Sequence, residues 1–395
     1  MSGRLIDIII YGASGFTGKR VAKALYANPK GIRWAIAGRS QAKLDAVLSD
    51  LGSEHLPETL VADATKLTDL QEIFSKTKLV LNCTGPYRFL GSSIVEACIT
   101  SGADYMDISG EPQFMESSFL NFHDVAKAKN VLILHACAFD SVPADMGCLF
   151  VMRQYPLSCC SIIESFLSLS CGEDGLGGHY TTYECAVHGF GDIATLKRTR
   201  EEVQRKYQPP QIEYTGKKLT RKSVFFYDER VQRYAFPFIG ADASVVRSSH
   251  RSLAMQSGEL IWPQYGAYAT VDSWLSMMKM TVYGGIFTSL ASLSSGRSLL
   301  LSYPETFTGG IFSHKGPTPT QLQHTSFTMK FFAKGYLTEE KKETESEERE
   351  REYEREVIAC VSGLEPGYIV TPSVFLALAD ELLEQREKER ERSIS

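Results

Sequence analysis

Apolar and polar residues follow two different rhythms along this chain. Over the first 150 residues, short apolar runs alternate with amphipathic stretches such as Lys19–Ala27 and Gln41–Asp50. The runs are Asp7–Tyr11, Arg33–Ala37, Thr59–Ala62, Leu79–Cys83, Tyr105–Ile108 and Val131–His135. Continuous apolar runs predict strands buried on both faces, and their alternation with helix-period segments predicts right-handed crossovers. The expectation for 1–150 is therefore an α/β Rossmann domain with a doubly wound parallel sheet. From about Cys159 the texture changes: Ser161–Ser170 alternates, Gly172–Gly178 is glycine-rich, and Tyr-, Phe- and Thr-rich segments run to Tyr336. That predicts a second, α+β domain over 151–337 with mainly antiparallel sheet. Residues 338–356 read as a charged linker, 357–384 as a strand followed by a helix that starts at Thr371-Pro372-Ser373, and 385–395 as a charged tail that frays.

One stretch fits neither rhythm. From Met280 to Gly296 seventeen residues carry no charge, and up to Ser313 only Arg297 and Glu305 intervene. Gly284-Gly285 and many Ser and Thr make this a poor spanning helix, which needs about twenty mainly apolar residues. Two readings stand: a membrane-contact segment over about 274–312, with Trp274, Tyr283 and Tyr303 as amphipathic rings, or a core helix pair of the second domain.

Composition narrows the class. The net charge of −5 gives no electrostatic reason to bind nucleic acid, and ten Glu against five Lys or Arg in Glu339–Glu356 account for all of it. Nine cysteines occur without a C-x-x-C pair, several among Val, Leu and Ile, as buried free thiols do. Arg4 and Asp7 interrupt the apolar run at the amino terminus, so a secretory signal is not expected and the cytosolic side is. No His, Cys or carboxylate group has metal-ligand spacing, so no metal is expected.

The main chemical signal is Gly12-Ala13-Ser14-Gly15-Phe16-Thr17-Gly18, which follows a buried-strand run and opens an amphipathic helix. Gly12 suits the sharp turn, Gly15 close approach of backbone to a pyrophosphate, and Gly18 close helix–strand packing. About twenty residues on, where NAD sites place an Asp or Glu, stand Arg39 and Ser40. A guanidinium pairs with a 2′-phosphate, so NADP(H) is favoured over NAD(H). Asp63, at the end of the third strand, is placed either to meet the adenine edge or to close a solvated turn. Thr84, Gly85 and Pro86 follow the fourth strand and should run beside the nicotinamide, with Tyr87 as an aromatic wall.

GASGFTG, AGRS, NCTGPYRFLG, DYMDISGEPQF, AFDSVPADMG, GLGGHYTTYECAVHGFGD, FPFIGADASVVRSS, SFTMKFFAKGY and GLEPGYIVTP together resemble the saccharopine dehydrogenase-like oxidoreductases, over roughly 7–337 and 357–384. The resemblance implies a Rossmann domain with a second α+β domain, oxidoreductase activity with NADP(H), Gly12, Gly15, Gly18, Arg39 and Asp63 as cofactor residues, and a link to lipid or glycolipid metabolism. It further implies association with lipid droplets or membranes at their cytosolic face, and relatives that include trans-acting enoyl reductases. It supplies no catalytic residue. The chain departs from the pattern in its charged tail, where a second Thr-Pro segment is usual, and at Thr181-Thr182 and Cys185.

Candidate proton donors are loop groups at strand ends. Tyr-x-x-x-Lys occurs at Tyr26–Lys30 and Tyr214–Lys218, but Pro29 and Gly216 break the helical face both would need. Glu111 in Asp107–Glu111, Asp140 in Phe139–Pro143, and Tyr87 are the better candidates; a carboxyl partly buried beside Pro112 or Phe139 has the raised pKa that a general acid wants. Ser109, Glu111 and Ser141 read equally as helix caps. His179, in the glycine-rich loop, is a candidate for substrate contact. Three functions follow: an oxidoreductase acting on a small-molecule, apolar or lipid-linked substrate; a membrane-associated Rossmann protein without turnover; and saccharopine chemistry in lysine metabolism. The last would want clustered Arg, for which Arg247 and Arg251 are the suggestive pair.

Overall fold

The structure, a computed structural model, describes residues 4–222, 224–338 and 351–394. Strands β1 (Ile6–Tyr11), β2 (Trp34–Gly38), β3 (Glu58–Val61), β4 (Thr77–Asn82), β5 (Asp104–Asp107) and β6 (Ile133–Leu134) form an all-parallel sheet in the order β3-β2-β1-β4-β5-β6. The order reverses between β1 and β4, as in a doubly wound dinucleotide-binding sheet. Ile8, Ile9 and Ile10 are all fully buried, because helices cover both faces. Helices α3 (Leu67–Phe74), α4 (Tyr87–Ser101) and α5 (Pro112–Ala128) pack one face with Ile9, Val80 and Tyr105. Helices α1 (Phe16–Ala27) and α2 (Gln41–Leu51) pack the other with Ile8, Ile10 and Leu79.

The next helix, α6 (Val142–Met152), leaves that sheet. Ala144, Cys148 and Val151 pack instead on the second sheet. That sheet contains β7 (Cys160–Ser170), β9 (Phe226–Asp228), β10 (Arg233–Pro237), β11 (Gln264–Val271), β13 (Ser326–Gly335) and β14 (Arg355–Leu364), in the order β14-β13-β7-β11-β10-β9. All pairs are antiparallel except β7 with β11. A short parallel pair, β8 (Gly178–His179) with β12 (Phe312–Ser313), stands apart. Packing of α6 is tight: a Cβ on Gly147 would lie 2.2 Å from the Phe331 ring, so only glycine fits there. Helix α6, which lies within 1–150, thus packs with the second sheet.

One expectation is corrected at the carboxyl end. The tail read as fraying is helical: α14 runs from Thr371 to Ile394. Phe375, Ala379 and Leu382, spaced to share one helical face, enter the core of the first domain beside Ile8 and Val21. Arg386 then clamps that helix through a bidentate pair with Asp104, both bonds 2.8 Å. Of the charged linker, residues 339–350 lie outside the described residues. The apolar stretch is helical, folded as α10 (Trp274–Ala291), α11 (Ser294–Ser302) and α12 (Pro304–Thr308). The remaining helices are α7 (Tyr180–Phe190), α8 (Ile193–Tyr207), α9 (Asp242–Ser257) and α13 (Pro319–His324).

Candidate dinucleotide site and interdomain cleft

The loop after β1 is shaped for a ligand that approaches main chain. Gly12 sits at φ +82°, and a Cβ there would lie 2.3 Å from Thr84 Oγ1. A Cβ on Gly18 would lie 2.2 Å from the Gly12 carbonyl oxygen. Both positions therefore exclude side chains. Gly15 is exposed and heads α1, whose first turn has no side-chain cap. Ala13 is buried and donates its N–H to Ala37 O at 3.2 Å, Ser14 lies beside Gly38, and Thr17 sits in the first turn of α1. An uncapped helix start offers free N–H groups to an anion. Arg39, at the carboxyl end of β2, is exposed and makes no hydrogen bond or ion pair among the described residues, and Ser40 heads α2 without a side-chain cap bond. Thr84 Oγ1 is buried without a partner. Uncapped N–H groups, a guanidinium without an anion and an orphan hydroxyl on one rim fit a phosphorylated dinucleotide.

The second domain closes over this rim. The Phe16 ring stacks on His179 at 4.9 Å, meets Tyr368 edge-on at 4.8 Å and carries the Arg20 guanidinium at 3.8 Å. Helix α7 rests on the Gly85-Pro86 loop, with Thr181 Cγ2 3.2 Å from the place of a Cβ on Gly85. At the far end, the loops after β5 and β6 meet the loop before α9. Asp140 presses its carboxyl against Gly110 and Gly240, and burial pushes its pKa up to about 6. Asp242, at the start of α9, is raised well above the usual carboxylate range, first by burial and then by Asp140. Asp145 is raised to about 6 by burial although Ser249 Oγ donates to it at 2.7 Å. Between them Ser141 stands at φ +138°, with its buried side chain against the Asp242 carboxyl. Such a φ costs a non-glycine residue on the order of 1–3 kcal/mol, and strain of this kind gathers at functional sites.

Residues 8–134 match the saccharopine dehydrogenase NADP-binding domain. A saccharopine dehydrogenase-like oxidoreductase of Rattus norvegicus is 37% identical over 392 residues, 95% of this chain and 88% of the relative. The chain belongs to the saccharopine dehydrogenase-like oxidoreductase family. The lipid droplet localized protein of Caenorhabditis elegans is 29% identical over 96% of this chain and 90% of its own length. In fold, the chain is similar to saccharopine dehydrogenase (L-Glu forming) from Saccharomyces cerevisiae, with TM-score 0.53 at 11% identity over 96% of this chain and 91% of that one. This member of the family accordingly carries an NADP-binding domain and the saccharopine dehydrogenase architecture.

Several expected roles change in the structure. Phe16 faces the second domain rather than lying open to a nucleotide, because His179 and Tyr368 take its ring. Tyr87 is no wall of the cleft: it is buried against Phe114, its hydroxyl donates to Asn82 O at 3.0 Å, and burial raises its pKa far beyond use as an acid. Glu111 is no donor either. Its Oε1 accepts the Tyr87 N–H at 2.7 Å, capping α4, and its Oε2 accepts from Arg88 Nε at 2.9 Å. Asp63 accepts from the N–H and hydroxyl of Thr65 at 2.9 Å each, which holds its pKa low and closes the turn before α3. His179 caps α7, accepting from Thr181 N at 3.3 Å. Of the three donor candidates, Asp140 stands where the loops after β5 and β6 meet the loop before α9, with its pKa raised to about 6 by burial. Sequence reading missed Tyr368, Asp242 and the Tyr180–His314 stack at 4.0 Å. The first two lie inside the quoted motifs GLEPGYIVTP and FPFIGADASVVRSS, but nothing in linear order shows what they pack against.

Proposed function

We propose that this family member is an NADPH-dependent oxidoreductase acting on an apolar or lipid-linked substrate at the cytosolic face of a lipid droplet or membrane, with Asp140 as proton donor. The observation that carries the reading is Asp140 itself: a carboxyl whose pKa burial raises to about 6, presented where the loops after β5 and β6 meet the loop before α9. Gly15 and the N–H groups at the start of α1 hold the pyrophosphate, with Gly12 and Gly18 shaping the turn, and Arg39 holds the 2′-phosphate. NADPH, when bound, supplies the hydride. Asp140 gives up a proton to the reduced product, and Asp242 and the strained Ser141 position it. The lipid link rests on the relative found on lipid droplets and on the exposed apolar helices α10 and α11.

NADPH oxidation by the purified protein, measured across enoyl thioesters, aldehydes and imino acids, tests the reading. Turnover on an enoyl thioester or long-chain aldehyde is expected. Asp140→Asn should lower it by roughly 10²–10⁴ with NADPH affinity unchanged, the range for a general acid. Turnover on imino acids alone would instead favour saccharopine-type chemistry. No turnover with any class, despite tight NADPH binding, would favour a cofactor-binding protein without catalysis.

A further inference from the structure

The Arg pair left over by the cofactor site lies in a cavity of its own. Between the segment after α8, the middle of α9 and the start of β11 is a space of about 440 Å³, lined in part by Tyr214, Arg221, Arg247, His250, Arg251 and Tyr265. None of the three arginines makes a hydrogen bond or ion pair among the described residues. Arg247 is half-buried, and its pKa is lowered, first by burial and then by repulsion from Arg221, Arg200 and Arg251. The acid whose charge acts on Arg247 is already committed: Glu116 is held by Arg200 in a bidentate pair at 2.6 and 2.8 Å. His250, only 3% exposed, stacks on Trp262 at 5.1 Å and leaves Nε2 buried without a partner. Arg221 reaches the cavity from a basic stretch, Lys217-Lys218-Leu219-Thr220-Arg221-Lys222.

Grouped guanidiniums without counter-charge are costly in a half-buried site, and a buried donor or acceptor left unsatisfied costs about 1–3 kcal/mol. A dianionic oxygen ligand removes both penalties, since guanidinium forks match phosphate geometry. Membrane phosphate is the wrong source, because the exposed apolar helix α10 follows the opposite end of β11. The seven steps from Gln264 to Val271 span about 23 Å of strand, so a headgroup beneath α10 does not reach the cavity. We propose that this cavity is a second anion site that binds the phosphate monoester of a small soluble molecule, through Arg221, Arg247, Arg251 and His250. The inference is independent of the reaction proposed above.

The test uses the full chain saturated with NADPH, so that the dinucleotide site is filled, and titrates inorganic phosphate at constant ionic strength by calorimetry and melting temperature. One saturable site is expected, with affinity at least about tenfold weaker in Arg247→Gln/Arg251→Gln and partly restored in Arg247→Lys/Arg251→Gln. Unchanged NADPH affinity shows that each variant is folded; Arg251→Gln alone, at an exposed position, gives the same readout should the double variant fail that check. A non-saturable response, or one equal in parent and variants, overturns the site. Variant-sensitive binding found only with phosphatidic acid vesicles, and not with inorganic phosphate, overturns the soluble ligand.

Discussion

At the scale of single residues, charge without a partner is the informative feature. Arg39 stands exposed at the end of β2 and makes no hydrogen bond or ion pair among the described residues, with Asp63 acting on it only through space. With its phosphate partner in place, it should make NADPH bind more tightly than NADH by roughly 1–2 kcal/mol, a modest figure because the group is solvated. Arg39→Ala should erase that preference and leave NADH affinity nearly unchanged; equal affinities in the parent protein, by calorimetry, would refute the assignment. The buried acids give a second test. Asp145 is 8% exposed, and burial raises its pKa to about 6 from an unfolded value of 3.8. The folded state therefore binds the proton more tightly than the unfolded chain. Its contribution to stability is complete below pH 3.8 and disappears as pH rises through about 6. Asp145→Asn escapes that loss while its side-chain oxygen can still accept from Ser249. Relative to the parent, the variant should thus gain about 2–3 kcal/mol between pH 4 and pH 7.5, read from denaturant melts. A constant difference across that range would show that Asp145 ionises normally. Turnover attributed to Asp140 should likewise fall above pH 6, and that limb should be missing from the residual rate of Asp140→Asn.

Elements were legible where periodicity and packing agree. The six parallel strands fall within a few residues of their apolar runs, because a sheet covered on both faces needs continuous apolar sequence. The helix α14 was legible as a helix but not in its extent or its place. Residues from Gln385 onward are almost all charged, so sequence favours fraying, and only the fold brings Asp104 and Asn130 to Arg386. In the same way Glu111 reads as an acid in a loop until the start of α4 brings the Tyr87 N–H and Arg88 to it. Long-range partners decide what such a group can do, and linear order does not show them. The consequence for α14 is testable. Phe375 is fully buried between the first sheet and α1, so Phe375→Ala should cost about 3–5 kcal/mol and lower the melting temperature of the dinucleotide-binding domain. A loss below 1 kcal/mol would mean that the helix is an appendage rather than part of that core.

For the molecule as a whole, the open question is what the apolar helices face. In α10 only Ala291 is buried, whereas Trp274, Leu275, Met278, Val282, Tyr283 and Ile286 are each more than 40% exposed, and Leu293, Leu299 and Tyr303 continue the patch. Single exposed apolar residues need no explanation, but a contiguous group of this size marks a surface that meets something apolar. No helix among the described residues is long and apolar enough to cross a membrane. The inner side of the unit is a real core: Ala291 and Leu300 pack with Tyr183 and Val187 of α7, which itself sits on the Gly85-Pro86 loop. The core-helix reading holds for the inner side, and the exposed side is where the membrane-contact reading is tested. Each exposed side chain that enters an acyl layer contributes at most roughly 1.5–3 kcal/mol, so three or four suffice for peripheral attachment. Because that attachment is apolar, high salt should leave the protein on lipid droplets and detergent should release it. Val282→Asp with Ile286→Asp, one helical turn apart on the exposed side, should shift it to the soluble fraction without lowering the melting temperature or the NADPH affinity. If the parent floats free of lipid in low salt, or if the double variant unfolds, the patch is covered by protein and the lipid surface is ruled out as its partner.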